Sequence, residues 1–205
     1  GVGDITWSGY LAGAWGRAGG GWVALRVNSP GGDMAVGLGI RSMLRRYAGK
    51  TTALFQGFGA SAATLAATGC QVIQSEPGAL LCYHNPSGGA EGDYRAMRRS
   101  AESLRNARDC ILEVYTARSG AREGTRSPAE LLSLMDRDIF ITPTQAREYG
   151  PIAQIVAAGG EVADPAAEGG PVAIDLDFCK GCGIGANAGK FNSITMFLES
   201  EADAR

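Results

Sequence analysis

Short β-branched runs that pass at once into helical patterns dominate the first half of the chain, and they leave little freedom in fold class. VALRV, Val23 to Val27, ends in the turn NSPGG. From Asp33 onward Val36, Ile40, Met43, Leu44 and Tyr47 recur at helical spacing, and the pattern stops at Ala48-Gly49. TTALFQG and SAATLAATG repeat the order of strand then helix. CQVIQ and ALLCYH follow as two more apolar runs, split by the turn SEPG. Strand and helix units repeated in this way argue for an α/β core.

The second half adds helices. Met97, Ala101, Leu104, Ile111 and Tyr115 share one face of a long amphipathic segment from Asp93 to Arg118, closed by Ser119-Gly120. Ser127-Pro128 and Thr142-Pro143 each pair an N-cap residue with a proline suited to the first helical turn. MDRDIFI lies between those two helices, and IAQIV reads as a last strand. Beyond Gly159 the stretch GGEVADPAAEGG is poor in core formers and reads as a linker, so the domain is expected to cover 1–158, with linker and tail over 159–205.

Of the 205 residues, 45% are hydrophobic, which suits one sizeable core. A net charge of −2 supplies no field to attract nucleic acid or an anionic membrane. No apolar run approaches the roughly 20 residues that cross a bilayer, and GVGDITWSGY lacks signal-peptide character, so a soluble, cytoplasmic protein is expected. Cys70, Cys82 and Cys110 lie in apolar segments, where a thiol behaves as a small hydrophobe, and the odd total of five cysteines suggests a reducing compartment. Cys179 and Cys182 form a CxxC. Gly185 and Gly189 stand where a ferredoxin-type motif would continue with cysteine, so two thiolates cannot hold a cluster, and no metal or cofactor is expected.

Two side chains attract chemical interest. His84, the only histidine, ends the ALLCYH strand, so any step that needs imidazole must use it. Ser61 stands where strand gives way to helix, among Gly59, Ala60, Ala62 and Ala63. A hydroxyl there sits near helix N–H groups that favour developing negative charge, although an N-cap serine in a tightly packed helix has the same local sequence.

Four segments together carry a more specific signal: RVNSPGGD (Arg26 to Asp33), GFGASAA (Gly57 to Ala63), YHNPSGG (Tyr83 to Gly89) and MDRDIFITPTQAREYG (Met135 to Gly150). In this order and spacing, over roughly residues 1–157, the chain resembles the proteolytic subunit of the Clp protease, and more closely the ClpP-like head maturation proteases of phages. The resemblance implies an α/β fold of ClpP/crotonase type, built from repeated β-β-α units, and a serine endopeptidase acting through an acyl-enzyme. It makes Ser61 the nucleophile, His84 the base and Asp138 the third member, with Asp136 as nearby competitor. The backbone N–H groups of Gly32 and Ala62 take the place of the family's oxyanion hole.

By the same resemblance the partners are a protein or peptide substrate, such as a capsid or scaffold protein, and further copies of the chain in a ring that includes the long helix. The sequence starts near the end of the family's first strand, without the loops that engage an unfolding ATPase, which argues against that partner. ARSGAREGTRSPAE looks longer than the phage pattern and suggests an enlarged surface loop. Two alternatives share the fold: a crotonase-like acyl-CoA enzyme and an inactive assembly protein. A serine-lysine dyad is disfavoured because Lys50, Lys180 and Lys190 are the only lysines, and none lies in the long helix.

Overall fold

The computed structural model describes residues 21–119, 124–157 and 172–177. At its centre is β1 (Val23–Ser29), whose Val23, Leu25 and Val27 are completely buried. Such an apolar, β-branched run suits a parallel strand covered on both faces. β2 (Thr51–Ala60) lies beside it in parallel register, Val23 opposite Thr51 and Val27 opposite Phe55. β3 (Val72–Ser75) and β5 (Gln154–Ile155) extend the sheet on one side. On the other side of β1 lies β6 (Val172–Asp177), giving the order β5-β3-β2-β1-β6 with every pair parallel. β4 (Leu80–Cys82) leaves this path and pairs with the end of β2, Phe58 opposite Leu80 and Ala60 opposite Cys82.

Parallel neighbours require crossovers, and helices supply them. α1 (Met34–Arg46) starts where the Asp33 carboxylate accepts the N–H groups of Ala35 and Val36 at 2.7 and 3.1 Å, and it buries Gly37, Ile40 and Leu44. α2 (Ala62–Ala67) is buried along its whole length, which its small side chains permit. α3 (Tyr94–Ser119) packs its C-terminal half on the core through Ile111 and Tyr115. α4 (Pro128–Arg137) and α5 (Pro143–Glu148) each open with a capping box, Ser127 with Glu130 and Thr142 with Gln145, followed by proline. α4 contributes Leu131, Leu134 and Met135 to the core around Phe55, Ile73, Leu81 and Tyr83. Each large apolar side chain buried there stabilises the fold by about 1.5–3 kcal/mol.

Several details differ from the sequence reading. Met135 to Arg137 belong to α4 rather than to a connecting segment, and Asp138 is its C-cap. Cys70 and Cys82 are buried, but Cys110 is exposed on α3. The same helix leaves Met97 and Ala101 exposed, so its apolar stripe meets this chain's core only at one end. VAIDLD forms β6 beyond the expected linker, because a parallel partner on β1 supplies hydrogen bonds that composition does not reveal. The start of the chain, residues 120–123 of the ARSGAREG segment and the CxxC lie outside the described residues. No helix among the described residues is long and apolar enough to cross a membrane.

Candidate active site

β2 runs directly into Ser61, which adopts φ 55° and ψ −128°, a conformation that side-chain-bearing residues rarely take. Its main chain is held on both sides. The Ser61 N–H donates to the Cys82 carbonyl at 3.0 Å, while the Ser61 carbonyl accepts from the Thr64 N–H at 3.0 Å and from Thr64 Oγ1 at 2.6 Å. Ser61 occupies the N-cap position of α2, yet its side chain makes no capping hydrogen bond. The hydroxyl is therefore not spent on the helix, as an ordinary capping serine would be.

The turn after β1 closes over this point. Gly31 has φ +100°, and a β-carbon there would lie 2.7 Å from the Ala60 carbonyl oxygen and 3.0 Å from the Ala62 nitrogen, overlapping Ser61 Cβ. Only a residue without a side chain lets the two backbones meet this closely. Ser29 Oγ accepts the Gly31 N–H at 3.2 Å and braces the turn from inside. Gly32 follows at once in the same turn. Ala62 is the first residue of α2, so its N–H belongs to the set without an intrahelical acceptor.

His84 and Asp138 are related by an antiparallel bridge. Leu81 and Ile141 exchange both backbone hydrogen bonds, at 3.0 and 2.7 Å. This bridge brings the segment after β4, which carries His84, close to the segment after α4, which begins at Asp138. The largely buried imidazole has Nδ1 3.8 Å from Asp138 Oδ1, an approach longer than a hydrogen bond. The same oxygen lies 3.8 Å from Cys82 Sγ, which donates to it. Burial, and then the negative charge of Asp138, push the Cys82 thiol up to about 11, so it stays protonated as a donor. Asp136 faces elsewhere and accepts from Asn85 Nδ2 at 2.8 Å.

Ser61 and Asp138 are the two non-glycine residues with positive φ among the described residues. Asp138, at φ 47° and ψ 53°, sits in the left-handed region that aspartate tolerates better than most. Backbone strain of this kind costs about 1–3 kcal/mol per residue and persists where the surroundings impose it. Beneath the site Thr64 Oγ1 and Tyr115 Oη share a hydrogen bond of 2.5 Å, and Tyr83 meets the Tyr115 ring edge-on at 5.1 Å. Burial raises both phenols well above their ordinary value, so the floor of the site is uncharged. Sequence reading gave Thr64, Cys82, Gly31 and the Tyr115 hydroxyl no part here; only Thr64, one helical turn after Ser61, had a local signal.

The family model for Clp protease matches residues 21–159, more than half of the chain and the whole of the region just described. The chain belongs to the Clp protease family. Its relatives include ATP-dependent Clp protease proteolytic subunits from Mesostigma viride, 32% identical over 66% of this chain and 58% of the relative, and from Nephroselmis olivacea, 30% identical over 62% and 59%. A third, from Chlorokybus atmophyticus, is 32% identical over 63% of this chain and 56% of its own length. The chain thus spans a little under three fifths of the length of these curated relatives. Where the sequence starts therefore says nothing for or against an ATPase partner. The parallel sheet with its crossover helices agrees with the Clp protease fold.

Proposed function

We propose that the chain is a serine endopeptidase in which Ser61 attacks the peptide carbonyl, His84 is the general base and Asp138 orients the imidazole. The observation that carries this reading is the 3.8 Å approach of His84 to Asp138, together with a strained serine whose hydroxyl does not cap its helix and whose N–H is held by Cys82, two residues before His84. As the Ser61 oxygen bonds to the carbonyl carbon, its proton passes to His84. The resulting imidazolium is stabilised by Asp138, whose approach must shorten from 3.8 Å by somewhat under 1 Å to become a hydrogen bond. The carbonyl oxygen takes the negative charge and is stabilised by the N–H groups of Gly32 and Ala62, each such donor being worth about 2.7–4 kcal/mol. His84 then protonates the leaving amine as the C–N bond breaks. Water, deprotonated by His84, hydrolyses the ester and returns Ser61 to its starting state.

A capsid or scaffold protein is the proposed substrate, on the strength of the resemblance of the four motifs to those of phage head maturation proteases. The relatives from Mesostigma viride and Nephroselmis olivacea are ATP-dependent Clp protease proteolytic subunits, which supports the peptidase class without choosing the substrate. A ring of copies is proposed as the working form, and the exposed Tyr94 and Met97 on the unpacked half of α3 support it. The test is incubation with capsid and scaffold proteins, read by mass spectrometry, together with a fluorophosphonate probe. Cleavage and labelling that vanish in Ser61→Ala are expected; labelling that persists in that variant removes Ser61 from the mechanism.

A further inference from the structure

We infer that Asn28 is a positioning residue for the nucleophile, its side-chain carbonyl clamping a bulge in β2 that brings Ser61 onto the glycine turn. The inference rests on the reading of Ser61 as nucleophile. Residues of β1 and β2 pair one to one from Val23 and Thr51 to Val27 and Phe55. The next pair is Ser29 with Gly59, so two steps on β1 are matched by four on β2. The surplus residues fall among Gln56, Gly57 and Phe58, where the ladder is interrupted. Asn28 Oδ1 bridges the interruption by accepting the Phe58 N–H at 3.0 Å. Gly57 has φ +82°, and a β-carbon on it would stand 2.6 Å from that same oxygen, so the amide lies directly on the bulge.

The bulge is also where β2 changes partner. Up to Phe55 it pairs with β3, and from Phe58 to Ala60 it pairs with β4, the strand that leads to His84. Bulges bend a strand and re-aim the residues beyond them. Here the bend carries Ser61 to the Cys82 carbonyl and under Gly31. Asn28 immediately precedes the Ser29-Pro30-Gly31-Gly32 turn, so one amide ties the strand bearing the turn to the strand bearing the serine. No reacting atom comes from Asn28. Its contribution is the relative placement of hydroxyl and turn, and a misplacement of about 1 Å can cost about 100-fold in rate.

The test uses the full chain with Asn28→Ala, Asn28→Asp and Gly57→Ala. Two quantities are read: the second-order rate of fluorophosphonate labelling at Ser61, and amide hydrogen exchange of the segment 56–60. For Asn28→Ala the labelling rate is expected to fall about 10- to 100-fold. Exchange of 56–60 speeds up while the buried part of β1 keeps its protection. Asn28→Asp keeps an acceptor oxygen in place and retains most of the rate. Should Asn28→Ala fail to fold, Gly57→Ala attacks the same contact from the other side and is expected to slow labelling alike. Wild-type labelling rates in Asn28→Ala, or an Asn28→Asp as slow as Asn28→Ala, overturn the inference. A wild-type protein that takes no label at Ser61 overturns the nucleophile assignment instead, and the two failures are told apart by that control.

Discussion

Replacing Gly31 by alanine probes the contact on which the geometry of the site depends. The backbone at this position has φ +100°, which costs a residue with a side chain about 1–3 kcal/mol. The added methyl would meet the Ala60 carbonyl oxygen at 2.7 Å and the Ala62 nitrogen at 3.0 Å, and it would overlap Ser61 Cβ. Two of these neighbours are main-chain atoms at the end of a strand and the start of a helix, so no rotamer change relieves the clash. Overpacking of this kind costs about 1–3 kcal/mol more, for a total of about 2–6 kcal/mol. With a urea slope of about 2 kcal/mol/M, the unfolding midpoint should fall by about 1–3 M. Any chain that still folds must open the turn, which moves the Gly32 N–H from its proposed place at the carbonyl oxygen and should slow labelling of Ser61 by about 100-fold or more. Gly39→Ala is the matched control, because Gly39 is exposed on α1 with nothing within 4 Å of a new β-carbon. There, alanine should stabilise by about 0.5–1 kcal/mol. A Gly31→Ala protein with the wild-type midpoint and wild-type labelling would refute the packing of the turn on Ser61.

Asp138→Asn should lower turnover by at least about 100-fold, because the amide can neither fix the imidazole tautomer nor stabilise its cation. Asp136→Asn should leave the rate near wild type, since that carboxylate serves Asn85 instead; steady-state kinetics with a peptide substrate separates the two. Thr64→Val deletes the hydrogen bonds to the Ser61 carbonyl and to Tyr115 and should cost about 1–3 kcal/mol in chemical denaturation. Burial raises Cys70 to about 12 and Cys82 to about 11 from an ordinary value near 9. Between pH 9 and 11 the unfolded chain therefore binds fewer protons than the native one, and stability should fall as pH rises. Urea midpoints measured from pH 7 to 10.5 should show this slope, flattened in Cys70→Ala.

Much of the fold was legible because its signals are local. The β-branched run at Val23 and the proline-marked caps at Ser127 and Thr142 depend on a few neighbouring residues, whereas α1 ends at Arg46, ahead of the stop expected at Ala48-Gly49. β6 was not legible: its strand character is completed by a partner about 150 residues away in sequence, and glycine-rich flanks dilute its alternation. The exposure of Cys110 and Met97 was equally hidden, since an amphipathic stripe does not say how much of its length meets this chain's own core.

The candidate residues divide along the same line. The resemblance carried by four ordered motifs singled out Ser61, His84 and the pair Asp136 and Asp138, because such motifs can be matched in one dimension. Distances between them were not, because β2, β4 and the segment after α4 meet only once the sheet has formed. Asp138 rather than Asp136 approaches the imidazole, and the bulge at Gly57 carries Ser61 from β3's side to β4. A one-residue slip in the β2–β4 register would send a different side chain to the same place. Register is settled by pairing between strands far apart in the chain, which is why it could be read only from the folded molecule.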